Sequence, residues 1–202
     1  MKTLPTATLL LALAALALPA HAAPAVIQFD DVLPAPGQYR AIGMGYADLN
    51  WDNFYIINSS GAGVADSGYA NGTVSGGNVA FNGGGKDAGF SRSSAFKLLS
   101  ISLAKAWQAG VVHFDGYVGD TLTYQLDVGL NTLAPAAVVF NWAGVSKVVF
   151  NSGNRQFQQL VLDDVRIDLA APPLPVPEPE AYAMLLAGLG LLGLLARRRP
   201  GV

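Results

Sequence analysis

Between Ala23 and Ala170 every acidic residue is an aspartate, and two adjacent pairs concentrate that charge: Asp30-Asp31 and Asp163-Asp164. Neighbouring carboxylates bring several hard oxygens into a small volume, and Ca²⁺ takes about six to eight such ligands. The first doublet follows the first expected strand and the second lies in the last. In antiparallel sandwiches those strands are often neighbours, so a structural calcium held by Asp30, Asp31, Asp163 and Asp164 would tie the two ends of the domain together. The competing reading is two solvated doublets at strand ends. Facing carboxylates also hydrolyse glycosidic bonds, one as acid and one as base or nucleophile. Twelve aspartates leave room for such a pair, but no spacing selects one, and the same stretch contains no glutamate.

Composition narrows the other chemistries. The chain has no cysteine, which excludes thiol catalysis and thiolate metal sites. Its two histidines are His21 and His113, too few for a zinc centre. No G-x-S-x-G precedes a helix, and His113 sits in the middle of a strand pattern, where a surface or core role outweighs a catalytic one. Between Ala23 and Ala170, twelve aspartates against eight lysines and arginines, without a basic cluster, argue against a nucleic-acid partner. Aromatic residues offer a different function, because sugar rings present apolar C–H edges that stack on exposed Trp or Tyr faces. Among Tyr39, Tyr46, Trp51, Phe54, Tyr55, Tyr69, Trp107, Tyr117 and Trp142, the candidate ligand-binding residues are Trp51, Tyr55 and Tyr69. Trp51, Phe54 and Tyr55 stand too close together to point inward as a group, although most aromatics of a β-domain are core.

The elements that would position these residues are strands. In Thr121–Val128, Leu122, Tyr124, Leu126 and Val128 share one face, with Thr121, Thr123, Gln125 and Asp127 on the other. Val111–Val118 precedes it, and Gly119-Asp120 between them is a hairpin signal. Leu99–Leu103, Ala136–Asn141, Ser146–Asn151 and Gln158–Leu169 read as further strands, with shorter ones at Val26–Phe29, Trp51–Ile57 and Asn78–Asn82. The Gly-, Asn- and Ser-rich stretch Ser59–Gly89 reads as loop wherever it is not the Asn78–Asn82 strand. About nine strands and no helix in roughly 150 residues predict a single all-β domain, residues 23–170, built as an antiparallel, jelly-roll-like β-sandwich with a closed barrel as the alternative.

The two ends read as addresses. Met1-Lys2, the apolar Leu9–Leu18 and the small-x-small Ala20-His21-Ala22 make residues 1–22 a secretory signal, cut by signal peptidase to leave Ala23 as the new N-terminus. Residues 171–180 form a proline-rich spacer. The uncharged run Ala181–Ala196 approaches the about 20 apolar residues of a membrane span. Arg197, Arg198 and Arg199, in the tail 197–202, hold its end on the cytoplasmic side. Pro177 and Pro179 keep the segment before it extended and without two backbone donors.

The stretch VPEPEAYAMLLAGLGLLGLLARRR resembles the PEP-CTERM sorting signal of Gram-negative bacteria, over about the last 25 residues and with all three parts in order. The resemblance implies Pro177, Glu178, Pro179 and Arg197–Arg199 as the sorting motif, exosortase as the membrane enzyme that reads it, and removal of the tail there. The stretches LNWDNFYIIN, GYANGTVSGGNVAFNGGG and LVLDDVRI, with Ala106-Trp107, are similar in outline to the bodies of many such exported proteins and to carbohydrate-binding-module jelly rolls. Together these readings describe a non-catalytic protein anchored in the inner membrane and then passed to the surface or matrix. There it would bind extracellular polysaccharide, as in a biofilm. A hydrolase acting on that polysaccharide is the alternative. An opposed aspartate pair in a concave surface, or aromatics alone, divides the two.

Overall fold

The computed structural model describes residues 23–32, 34–169 and 184–189. Ten strands follow one another in the chain: β1 (Ala25–Ile27), β2 (Tyr39–Ala41), β3 (Asn50–Asp52), β4 (Phe54–Asn58), β5 (Asn78–Asn82), β6 (Ala88–Lys105), β7 (Gly110–Val118), β8 (Thr121–Leu130), β9 (Ala136–Asn151) and β10 (Leu160–Asp168). Between β4 and β5 lies one turn of helix, α1 (Gly68–Asn71), capped by the Ser67 hydroxyl, which accepts from the Tyr69 N–H. The strands pair antiparallel in the order β2-β4-β5-β10-β6-β9-β7-β8, with β1 added to β10 and β3 to β6.

Hydrogen bonding therefore joins all ten strands into one sheet, where the sequence predicts a sandwich of separate sheets. The reason is the length of β6 and β9, of 18 and 16 residues. They pair along most of their length through register shifts between Ser91 and Ser100, so one continuous ribbon runs through both halves of the fold. The stretches expected as two strands, Ala136–Asn141 and Ser146–Asn151, are both parts of β9. Asn141, the last residue of the first stretch, and Gly144, between the two, carry positive φ within the strand and bend it without ending it. At Asn53 the opposite happens. Its positive φ splits the expected Trp51–Ile57 strand, sending β3 to β6 and β4 to β5.

The sheet curls until distant strands touch. Four strand spacings separate β4 from β9, about 19 Å in a flat sheet. Yet the Phe54 and Phe150 rings stand 5.3 Å apart. Phe150 also meets Phe90 at 5.4 Å and Phe114 at 5.2 Å, which makes it the centre of the main core. Alternation then decides what faces outward. Phe54 and Ile56, Ala80, Leu160 and Leu162 enter this core. Their neighbours Ile57, Val79, Phe81 and Val161, with Ala104 and Tyr69, build a second, smaller cluster on the opposite face. The loop through α1 covers part of that face and leaves the rest as a cleft.

Ala20 and Ala22 of the expected signal cut, and Pro177, Glu178, Pro179 and Arg197–Arg199 of the tail, lie outside the described residues. Within the expected apolar helix, residues 184–189 are helical and exposed. Among the described residues no helix is long and apolar enough to cross a membrane.

Candidate functional site: an aromatic cleft and two bonded acidic doublets

The cleft has a volume of about 610 Å³ and is lined by Tyr39, Tyr55, Tyr69, Phe81 and Trp107, with Ile57 and Val64 beneath. Tyr39 leaves β2, Tyr55 leaves β4 and Phe81 leaves β5, three neighbouring strands whose outward positions fall in register. Their rings touch edge to face or tilted: Tyr39–Tyr55 and Tyr39–Phe81 at 5.9 Å, Tyr55–Phe81 at 5.6 Å. Tyr69, from α1, extends the wall to Phe81 at 5.2 Å and to Trp107 at 5.7 Å. At the two ends Tyr39 is 65% and Trp107 42% exposed. These are large apolar faces held open to solvent by the rings behind them.

Polar groups on the rim are few: Asn53, Lys86 and Gln159. No carboxylate is among the lining residues. Asn53 donates to the Gly83 and Asp87 carbonyls and so holds the loop that carries Lys86. Gln159 Oε1 is sealed from solvent without a hydrogen-bond partner, a cost of about 1–3 kcal/mol for a buried acceptor. The loop before Gln159 is pinned by Lys105, which is fully buried and donates from Nζ to the Gln158 carbonyl at 2.6 Å. Burial pushes the Lys105 ammonium down to about 8. Burial likewise pushes the Tyr69 hydroxyl well above its ordinary range, so it stays neutral in the wall.

Of the three aromatic candidates, Tyr55 and Tyr69 line this cleft and Trp51 does not. Trp51 is only 7% exposed, packs between Phe29, Phe54 and Phe90 in the main core, and donates its indole N–H to the Tyr46 carbonyl at 2.9 Å. The inward phase of β3 is opposite to that of Tyr55 because Asn53 resets the alternation between them. Tyr39, Phe81 and Trp107 are the aromatic lining residues that the three candidates omit. Trp107 follows the end of β6, and polar Gln108 directly after it is the sequence signal for a rim position.

The acidic doublets meet one loop, Val74–Asn78, and there they find donors. Asp163, completely buried, accepts from the Val74 and Ser75 N–H groups at 2.7 and 2.9 Å, from the Ser75 hydroxyl and from the Asp164 N–H. The same Ser75 hydroxyl lies 2.9 Å from Asp164 Oδ1. Asp30 Oδ1 accepts from the Gly77 and Asn78 N–H groups at 2.9 and 3.1 Å, and Asp31 accepts from the Tyr46 hydroxyl at 2.6 Å. The Val74–Asn78 loop thus joins both doublets at one end of the fold, through N–H and O–H donors to Asp30, Asp163 and Asp164. Among the described residues, no group of three or more His, Asp or Glu is placed to hold a metal. Burial nonetheless pushes the Asp163 carboxyl above its ordinary range, against the pull of those donors.

His113 lies on the outer face of the β7–β8 hairpin. Its ring nitrogens meet Asp127 Oδ1 and Asp115 Oδ1, and Gln125 donates to Asp115 at 2.9 Å. The Asp127 carboxylate, first among these, raises the imidazole above its ordinary range. Among the described residues, both ring nitrogens therefore face carboxylates.

Comparison with known proteins matches residues 175–199 to the PEP-CTERM protein-sorting motif. No curated protein matches the chain. Among solved structures, the chain is similar to the apo form of a cyclase from Fischerella sp., at 12% identity over 71% of this chain and 95% of that one, with a TM-score of 0.42. It is also similar to the K2 cleaved adhesin domain of Lys-gingipain, at 13% identity over 73% of this chain and 99% of that one, with a TM-score of 0.41.

Proposed function

We propose that the chain is an exported, non-catalytic glycan-binding protein, carried to the cell surface by its tail and holding extracellular polysaccharide in the aromatic cleft. The observation that carries the binding half is the wall Tyr39–Tyr55–Phe81–Tyr69–Trp107, closed by ring contacts yet open to solvent at both ends. Stacking needs flat apolar faces that do not collapse when unoccupied, and rings braced edge to face supply them. Gln159 Oε1, unpartnered at the cleft, would gain a hydrogen bond if a modest turn of its amide met a sugar hydroxyl. The lining offers no pair of opposed carboxylates, which favours binding over glycoside hydrolysis there.

The delivery half rests on the sorting motif at residues 175–199. On this reading signal peptidase cuts before Ala23. The apolar run Ala181–Ala196 then holds the chain in the inner membrane, with Arg197–Arg199 inside and Pro177-Glu178-Pro179 outside, where exosortase acts. Fractionation in the native host tests it. Replacing Pro177, Glu178 and Pro179 with alanine leaves the apolar run untouched, so the variant should stay in the membrane fraction and fail to reach the surface. A variant that still reaches the surface in mature form would reduce the motif to a spacer. Retention of native glycan by wild type but not by Trp107→Ala tests the cleft, and equal retention would remove it from consideration.

A further inference from the structure

The geometry points to an acidic glycan, one carrying uronic-acid carboxylates, as the class of polysaccharide that the cleft selects; the inference rests on the cleft being a glycan site. Among the lining residues Lys86 is the one charged side chain. It is exposed on the loop that follows β5, and among the described residues it forms no ion pair. The aspartate next to it turns elsewhere. Asp87 accepts from the Asn154 amide at 3.1 Å and lines a separate depression with Asp52 and Lys147. A lone cation beside stacking faces, on a domain whose aspartates outnumber its lysines and arginines, marks the cleft off from its surroundings. A neutral sugar leaves that ammonium solvated and without effect. A uronate puts its carboxylate at the edge of the ring, while the ring face lies on Trp107 or Tyr39. Because Lys86 is carried by the backbone turn Gly83–Gly85, held in place by Asn53, its reach toward the cleft is set by the fold.

The experiment is titration calorimetry of the full chain in detergent at low ionic strength. The probes are oligogalacturonate and oligomannuronate, each beside its methyl ester, which keeps the ring stereochemistry and removes the charge. An exposed lysine–carboxylate pair is worth about two- to fivefold in affinity. At least one acid probe should therefore bind that much more tightly than its ester. The preference should vanish in Lys86→Met and in high salt, and a preference that persists in either would overturn the role of the Lys86 charge. Trp107→Ala should weaken acid and ester alike, by about tenfold for the loss of an exposed stacking face. Equal affinity for acid and ester, both lost in Trp107→Ala, would overturn the acidic preference and leave the cleft standing. Binding that survives Trp107→Ala would overturn the cleft itself. Absence of binding by all four probes would also overturn the acidic class, and neutral oligoglucans would then show whether the cleft takes uncharged glycan.

Discussion

Gly76→Ala tests how the closing loop is held. Gly76 has a φ of +52°, and a Cβ built there would lie 2.0–2.1 Å from the Asp30 carboxylate atoms. No side-chain adjustment of alanine relieves that contact, so the carboxylate must leave. Two costs add. Left-handed backbone costs a non-glycine residue about 1 kcal/mol. Displacing Asp30 breaks its bonds to the Gly77 and Asn78 N–H groups, each about 1.5 kcal/mol or more for an ionised acceptor, reduced here by partial exposure. A loss of about 3 kcal/mol follows, which is about 6–12 °C in melting temperature for a domain of this size. Thermal and urea unfolding followed by circular dichroism measure it. The decisive step is a double-mutant cycle. In an Asp30→Ala background the clash is gone and only backbone strain remains, so Gly76→Ala should cost about 1 kcal/mol there, a coupling of about 2 kcal/mol. Equal costs in the two backgrounds would refute the argument, as would a single-variant loss below about 1 kcal/mol.

Other perturbations follow from the same geometry. Phe150→Ala empties the point where the Phe54, Phe90 and Phe114 rings converge and should cost about 3–5 kcal/mol in urea unfolding. Lys105, held at about 8 in the fold, is neutral there at a pH where the unfolded chain still binds the proton. Wild-type stability should therefore rise relative to Lys105→Met between about pH 8 and 10, by up to about 1.4 kcal/mol per unit. Urea unfolding at both pH values checks the sign. His113 should titrate by NMR above the ordinary imidazole range, and Asp127→Asn should bring the midpoint down. Its contribution to stability is present below the unfolded imidazole's pKa and lost as pH rises through the folded one.

Local pattern determined a good deal here. The alternation along Thr121–Val128 and the Gly119-Asp120 turn are found as β8 and its hairpin with β7, because a two-residue turn and a period of two depend on near neighbours alone. Asn78–Asn82 is strand β5 to the residue. The sorting motif is legible as text, since a receptor reads it from residue types in order. What needed the tertiary structure was any question of which partner a residue meets. Asn53 and Asn141 share a left-handed φ, yet one splits a strand between two neighbours and the other bends a strand that continues. The difference lies in whether pairing with β6 persists beyond the bend. The amides that Asp163 meets come from a loop some 90 residues away in the chain, which delivers the Val74 and Ser75 N–H groups to it. Trp51 and Tyr55 differ in fate because of one residue between them. Trp107 joins Tyr69 and the β2, β4 and β5 aromatics only where the fold brings five separate segments of chain to one face. Composition can count aromatics, but the register between strands decides which of them share a face.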